Sequence, residues 1–283
     1  ATTARSFGLE MELLSPKEAH ELWPLMEVED VIGAAFLPTD GQANPSDITQ
    51  ALAKGARMCG VTIFEETSVT GIRLENQQVA AVQTENGEIL CETVVNCAGQ
   101  WANELGKMTG VNVPLVSVEH QYLITEAIQG VTADLPTLRD PDKLTYWKEE
   151  VGGLVLGGYE PNPIAWDSKP IPKDFIFQLL PENLEHFEQL MLPAVERVPA
   201  LENAGIRKLM NGPESFTPDG NFILGEAPEV KNYFVGAGFN AFGIAAAGGA
   251  GKALAEWILA EEPPLDLWVV DIRRFSNLHK NED

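Results

Sequence analysis

Apolar residues along the chain change spacing several times, and each change predicts an element. In LLSPKEAHELWPLM the pattern predicts a short helix opened by Ser15, with Pro16 in its first turn, Glu18 at the capping-box position and His20 on its surface. In DITQALAKGARMCG, Ile48, Leu52 and Ala56 recur on one helical face, Ser46 stands where a cap would, and Gly60 can end the helix. Period-two alternation then takes over. VTIFEETSVTGIRLE, QVAAVQTE and EILCETVVNCAG are predicted as strands, with Asn86-Gly87 supplying a hairpin turn. TVVNCAGQWANELGKMTG passes from strand to helix across Ala98-Gly99, where a ligand could approach the backbone closely. From VPLVSVEHQYLITEA to LTYWKEEVGGLVLGGYEPNP the strands lengthen and fill with valine, leucine and aromatics, which predicts an antiparallel sheet. PKDFIFQLLPENLEHFEQLMLPAVERVPAL reads as helix punctuated by proline, with His186 solvated between Glu185 and Glu188. KNYFVGAGFNAFGIAAAGGAGKALAEWI then returns to strand, turn and helix. This order predicts an α/β domain resumed after a β-rich insertion.

Length and charge narrow the function classes. The chain has 283 residues, 45% of them hydrophobic, and no apolar run long enough for a membrane span. With 19 basic and 42 acidic residues its formal charge is −23, a surface that repels nucleic-acid phosphates and anionic lipid. Neither nucleic acid nor membrane is an expected partner. Cys59, Cys91 and Cys97 form no paired motif and are expected to be buried thiols in a reducing compartment. The four histidines are scattered without paired-ligand spacing, so no metal is expected. No repeat is visible, and the first residues, ATTARSFGLEMELL, lack a secretory pattern.

Gly236, Gly238 and Ala241 match the dinucleotide fingerprint G-x-G-x-x-A, yet only 25 residues follow Ile258, too few for a nucleotide-binding half. A glycine turn that merely packs helix on sheet is one reading. The other is the last strand, turn and helix of a flavin domain, its helix start aiming free N–H groups and partial positive charge at the ring. Gly236, Gly238 and Gly243 would then admit the ring, and Gly248, Gly249 and Gly251 would let the helix pack closely.

Six ordered blocks carry a resemblance that covers nearly the whole chain: DGQANPSDITQALAKGAR, VVNCAGQWANELG, VPLVSVEHQYLITE, LGGYEPNP, NGPESFTPDGNFILGEAP and FVGAGFNAFGIAAAGGAGKALAEWI. Together they resemble the FAD-dependent dimethylglycine and sarcosine dehydrogenases of the D-amino-acid-oxidase-like flavoproteins. The resemblance implies an interleaved FAD-binding domain and antiparallel β-rich substrate domain. The chain lacks that family's N-terminal GxGxxG unit and C-terminal folate-binding domain, so it reads as an N-terminally truncated interior piece, inactive alone. The implied boundaries are 1–38, a substrate-side helical segment; 39–115, FAD-binding; 116–204, substrate-binding; 205–262, the FAD-binding C-terminal segment; and 263–283, a linker toward the missing domain.

The implied reaction is oxidative demethylation of dimethylglycine or sarcosine by hydride transfer to FAD. Its implied partners are an N-methyl amino acid and an electron acceptor, either an electron-transfer flavoprotein or oxygen, with tetrahydrofolate reached through the missing domain. The setting would be bacterial cytoplasm or mitochondrial matrix. His120 in EHQY, by itself an ordinary strand histidine, becomes the catalytic candidate for handling the substrate amine's proton. Tyr146 in TYWKEE joins it as a catalytic residue that hydrogen-bonds the substrate, with Tyr122 and Tyr159 behind it. Arg139 and Lys148 suit a carboxylate but equally suit nearby acids, and stay outside the catalytic set. For the cofactor the resemblance implies Val69, Ala98, Gly99, Trp101, Gly212, Pro213, Thr217, Asp219, Gly238, Gly243 and Ile244. Without it, Thr217-Pro218-Asp219-Gly220 is an ordinary β-turn. The competing implications are a non-catalytic homologue, such as the pyruvate dehydrogenase phosphatase regulatory subunit, or another amine oxidase on the same scaffold.

Overall fold

The structure is a computed structural model and describes residues 2–166 and 170–275. In chain order its elements are α1 Thr2–Ser6, β1 Glu12–Leu14, α2 Pro16–Leu22, β2 Ala34–Phe36, α3 Pro45–Met58, β3 Val69–Glu75, β4 Gln78–Thr84, β5 Gly87–Leu90, β6 Val94–Asn96, α4 Ala102–Lys107, β7 Val116–Thr125, β8 Leu138–Asp140, β9 Thr145–Glu150, β10 Gly153–Gly158, α5 Leu184–Arg197, β11 Ile206–Phe216, β12 Ile223–Glu226, β13 Tyr233–Ala237 and α6 Gly243–Ala260. Two compact units interleave along the chain. The first comprises Ala1–Asn44, Glu119–Pro163 and Gln178–Gly212; the second comprises Pro45–Val118, Ile164–Phe177 and Pro213–Asp283.

The first unit is built on an antiparallel sheet in the order β11-β7-β10-β9-β8. Alternation decides its faces: Leu123, Trp147, Leu154 and Leu156 are buried with Phe187, Leu190 and Ala194 of α5 and with Trp23 and Met26 beyond α2. The capping box at Ser15 forms as its sequence predicts, Ser15 and Glu18 exchanging side-chain and backbone hydrogen bonds. A buried guanidinium fixes the far end. Arg197 donates to Asp140 at 2.8 Å, to Asp30 at 2.7 and 3.0 Å, and to the Glu27 carbonyl. Residues 205–212, expected with the FAD-binding segment, belong to this unit because β11 pairs beside β7.

The second unit holds two three-stranded sheets, β12-β13-β6 and β3-β4-β5. β13 is buried at all five positions, parallel to β6 and antiparallel to β12. The β3–β4 connection is a two-residue turn whose Asn76 and Gln77 have φ of 53° and 61°, matching the twist of a tight hairpin.

Several expectations are corrected here. EILCETVVNCAG is two strands in different sheets, β5 and β6, because the intervening residues break the ladder. α3 begins at Pro45, which puts Ser46 inside the first turn rather than at the cap. The helical face of Ile48 and Leu52 is real but open, with Leu52 62% exposed. The cysteines are not all buried: Cys59 and Cys97 are exposed and Cys91 is half-buried, since their elements end at the surface. A methyl at Gly248, Gly249 or Gly251 would meet nothing within 4 Å, so close packing against another element does not explain these glycines. Residues 263–275, expected as linker, pack down through buried Val270 and Ile272, with Leu224 donating to the Val270 carbonyl. The rest of that expected linker, 276–283, lies outside the described residues.

Candidate functional site

In the first unit the sheet's register sorts chemistry from core. Arg139 faces Tyr146 across β8–β9, Tyr146 faces Gly157 across β9–β10, and Gly157 faces Tyr122 across β10–β7. Residues directly opposed in antiparallel strands share a face, and His120, two residues before Tyr122, shares it too. The neighbours on the other face, Leu138, Trp147, Leu156 and Leu123, pack in the core cluster. One side of this sheet is therefore oily, and the other carries an imidazole, phenols and a guanidinium.

Glycine makes this face possible at one point. The Tyr146 ring lies over Gly157, where an added Cβ would come within 2.3 Å of Cζ and Oη. Beside it, the His120 and Tyr159 rings stand 5.6 Å apart, and the Arg139 guanidinium lies 5.4 Å from the Tyr159 ring centre. His120 Nδ1 is 3.2 Å from the Glu160 carboxylate, whose other oxygen accepts from the Gln121 backbone N–H at 3.2 Å. Lys148, on the same face, pairs with Glu150 at 2.9 Å.

In the second unit the parallel pair β6–β13 sends both of its following loops out at the same end, because parallel strands share a direction. After β6, the buried Asn96 holds the turn: Oδ1 accepts from the Ala98 N–H at 3.1 Å, and Nδ2 donates to the Ala102 carbonyl at 2.9 Å and to the Tyr233 hydroxyl at 3.0 Å. Burial pushes the Tyr233 hydroxyl up to about 12, so it stays protonated. Gly99, at φ 57°, opens the short 3-10 helix Gly99–Trp101 that the sequence would have to turn through.

After β13 the loop is bound to the Thr217 turn by another buried asparagine. Asn240 Oδ1 accepts from the Thr217 N–H at 2.9 Å, and Asn240 Nδ2 donates to the Gly238 carbonyl at 2.8 Å. Gly238, Asn240 and Ala241 have φ of 65°, 51° and 68°. A left-handed alanine is costly, and such strain gathers at functional loops. A Cβ at Gly238 would stand 2.6 Å from both Leu115 and Thr217, so no larger residue fits. α6 starts at Gly243 with no side-chain cap and no acid in its first turn, which leaves its amide end suited to an electron-rich group.

The structure thus joins some expected residues and separates others. Ala98, Gly99 and Trp101 follow β6; Gly238, Gly243 and Ile244 follow β13; and Thr217 is tied to that second loop. Val69 opens β3 in the other sheet, and Gly212 and Pro213 lie within β11. Asp219 has its carboxylate engaged: Arg274 donates to it at 2.7 and 3.1 Å, holding its pKa down at about 2. Asn96, Asn240 and Glu160 were missed by sequence reasoning. The partners of Glu160 are distant in the chain; Asn96 and Asn240 each join one distant partner to nearby backbone, and the place of Asn240 inside the glycine turn was a local hint. The amide-rich loops, with glycine where a side chain would collide, fit the edge of a flavin nucleotide.

Residues 1–257 match the family model described as DAO, FAD dependent oxidoreductase. The chain is 42% identical to mitochondrial sarcosine dehydrogenase of Mus musculus over 278 residues, which is 96% of this chain and 30% of that protein. It is 41% identical to the mitochondrial pyruvate dehydrogenase phosphatase regulatory subunit of Mus musculus, over 97% of this chain and 31% of that protein. The chain spans about a third of the length of these curated relatives. Among solved structures it resembles L-proline dehydrogenase from P. horikoshii with a TM-score of 0.83 and 30% identity, over 96% of this chain and 70% of that one. The chain belongs to the DAO family of FAD-dependent oxidoreductases.

Proposed function

We propose that this chain serves an enzyme that oxidises the N-methyl carbon of an amino acid, with sarcosine or dimethylglycine as substrate. The observation that carries the reading is the sheet face on which His120, Tyr122, Tyr146 and Arg139 stand together, opposite the core. FAD, when bound, supplies the hydride acceptor. The second compact unit serves the cofactor, and the first serves the substrate. Ala98, Gly99, Trp101, Thr217, Gly238, Gly243 and Ile244 line the flavin, chiefly through backbone N–H groups; Val69, Gly212, Pro213 and Asp219 are assigned to it by resemblance alone.

The substrate arrives as an ammonium, which cannot lose hydride until it loses a proton. His120 Nε2 takes that proton, and the Tyr146 hydroxyl hydrogen-bonds the substrate and holds its methyl in place. Water captures the resulting iminium, or a folate does so elsewhere in the protein. The electrons leave to a protein or oxygen acceptor. The setting is a bacterial cytoplasm or a mitochondrial matrix, the mouse relatives being named as mitochondrial. Identity to a regulatory subunit is nearly as high as to a dehydrogenase, so overall similarity does not separate the two; the imidazole, phenols and paired carboxylate favour the enzyme.

The test is anaerobic mixing of the FAD-loaded full-length protein with sarcosine, dimethylglycine, glycine and proline. Bleaching of the flavin by the N-methylated pair is expected, slowed about 100-fold or more in His120→Gln. Bound flavin that none of the N-methyl amino acids bleaches would sink the proposal.

A further inference from the structure

Glu160 was not among the expected site residues, yet its side chain is the more enclosed half of the pair it makes with His120, at 2% exposed against 14%. Its two oxygens meet two different groups: His120 Nδ1 lies 3.2 Å from Oε2, and the Gln121 backbone N–H donates to Oε1 at 3.2 Å. Gln121 is itself buried, and its side chain is tied to Asn183 by bonds of 3.0 and 3.2 Å, so its backbone has little room to turn away. A backbone N–H can only donate, and an ionised carboxylate can only accept. The nitrogen that faces Oε2 must therefore carry hydrogen, and the lone pair of neutral His120 is left on Nε2.

We propose that Glu160 is a positioning residue: it holds His120 as the Nδ1–H tautomer and thereby makes Nε2 the proton acceptor. The proposal rests on the reading of His120 given above. In the step it serves, an ammonium N–H bond breaks with its electron pair remaining on the amine, and a new N–H bond forms from the Nε2 lone pair. Positive charge passes from substrate to imidazolium. It then lies against the Glu160 carboxylate, which accepts the Nδ1–H hydrogen bond.

The two-oxygen arrangement makes an unusual prediction for Glu160→Gln. An amide offers a single acceptor oxygen, and the buried Gln121 N–H requires it. The amide NH2 must then face His120 Nδ1, which forces that nitrogen to accept and moves the proton to Nε2. The variant should invert the tautomer rather than loosen it. Glu160→Asp retains two acceptor oxygens and should keep the native tautomer.

The decisive measurement is long-range proton–nitrogen NMR of the purified chain with labelled histidine, at a pH where the ring is neutral, with His120→Gln identifying the resonances. Expected are a pyrrole-type Nδ1 and pyridine-type Nε2 in the native chain and the reverse in Glu160→Gln. A native Nε2–H tautomer overturns the proposal without any variant having to fold, and so does an unchanged tautomer in Glu160→Gln. Flavin reduction in the FAD-loaded protein should fall about 100- to 1,000-fold in Glu160→Gln, with KM within about threefold, and recover substantially in Glu160→Asp. An inverted tautomer with an undiminished rate would leave the role of Glu160 standing and overturn His120 as the acceptor.

Discussion

Replacing Gly157 with alanine tests whether the exact lie of the Tyr146 ring matters. The added methyl would stand 2.3 Å from Cζ and Oη and 2.8 Å from Cε1, whereas contacts shorter than 3.4 Å are already crowded. The ring must therefore retreat by about 1 Å or swing aside, carrying its hydroxyl with it. Because Tyr146 is half-buried and can move outward, the stability cost should sit near the low end for overpacking, about 1 kcal/mol. If Tyr146 holds the substrate as proposed, a displacement of about 1 Å is expected to slow catalysis about 100-fold. Stopped-flow flavin reduction and urea unfolding, run on Gly157→Ala, Tyr146→Phe and the double variant, separate the two effects. If Gly157 acts through Tyr146, the double variant should be little worse than the poorer single one. Gly157→Ala within threefold of native activity beside a crippled Tyr146→Phe, or fully additive losses, would refute this reasoning. Gly158→Ala provides contrast, since its methyl would meet the Leu144 carbonyl at 2.4 Å and Leu190 at 2.8 Å, and should cost stability first.

Asn240→Ala should destabilise by about 2–4 kcal/mol in urea unfolding, because the buried Thr217 N–H loses its acceptor and an alanine must take up φ near 51°. Asn240→Gly should recover about 1 kcal/mol of that through backbone freedom alone; no recovery would show that the hydrogen bonds account for the whole effect. For Asp219, Arg274 and the Asn221 N–H hold the folded pKa at about 2 against an ordinary 3.8, so its contribution is fully present above the ordinary value and fades as pH falls toward 2. That shift is nominally about 2.5 kcal/mol, but the carboxylate is 37% exposed, and screening reduces the expectation to about 1 kcal/mol. Denaturation of Asp219→Asn against the native chain should show that difference at pH 6 and a vanishing one near pH 2; a gap that did not change with pH would contradict the assignment.

Much of this architecture can be read from residue order. Alternation in EHQYLIT and TYWKEE marks two-faced strands, and the capping box at Ser15 needs only four residues to be recognised. What resisted reading depends on contacts between distant residues. Asn96 meets Tyr233 across 137 positions, and Glu160 meets His120 across 40, so no window contains both partners. Asn240 stands 23 positions from Thr217, inside a turn whose glycines drew attention away from the amide between them. Helical periodicity located the apolar side of α3 correctly, but periodicity reports that a face exists and not what covers it. The cysteines erred for a related reason: thiols are usually interior, but Cys59 follows the last turn of an exposed helix and Cys97 leaves a strand at its end.

The two-sided sheet of the first unit also bears on how such proteins diversify. Tyr122, Arg139 and Tyr146 sit one pleat away from Leu123, Leu138 and Trp147 respectively, so a change on the polar side need not disturb the packing behind it. Selection can try new substrates there while the oily side preserves foldability. Gly157 is the exception: growth at that one position would take the space the Tyr146 ring occupies, and drift should be slowest there.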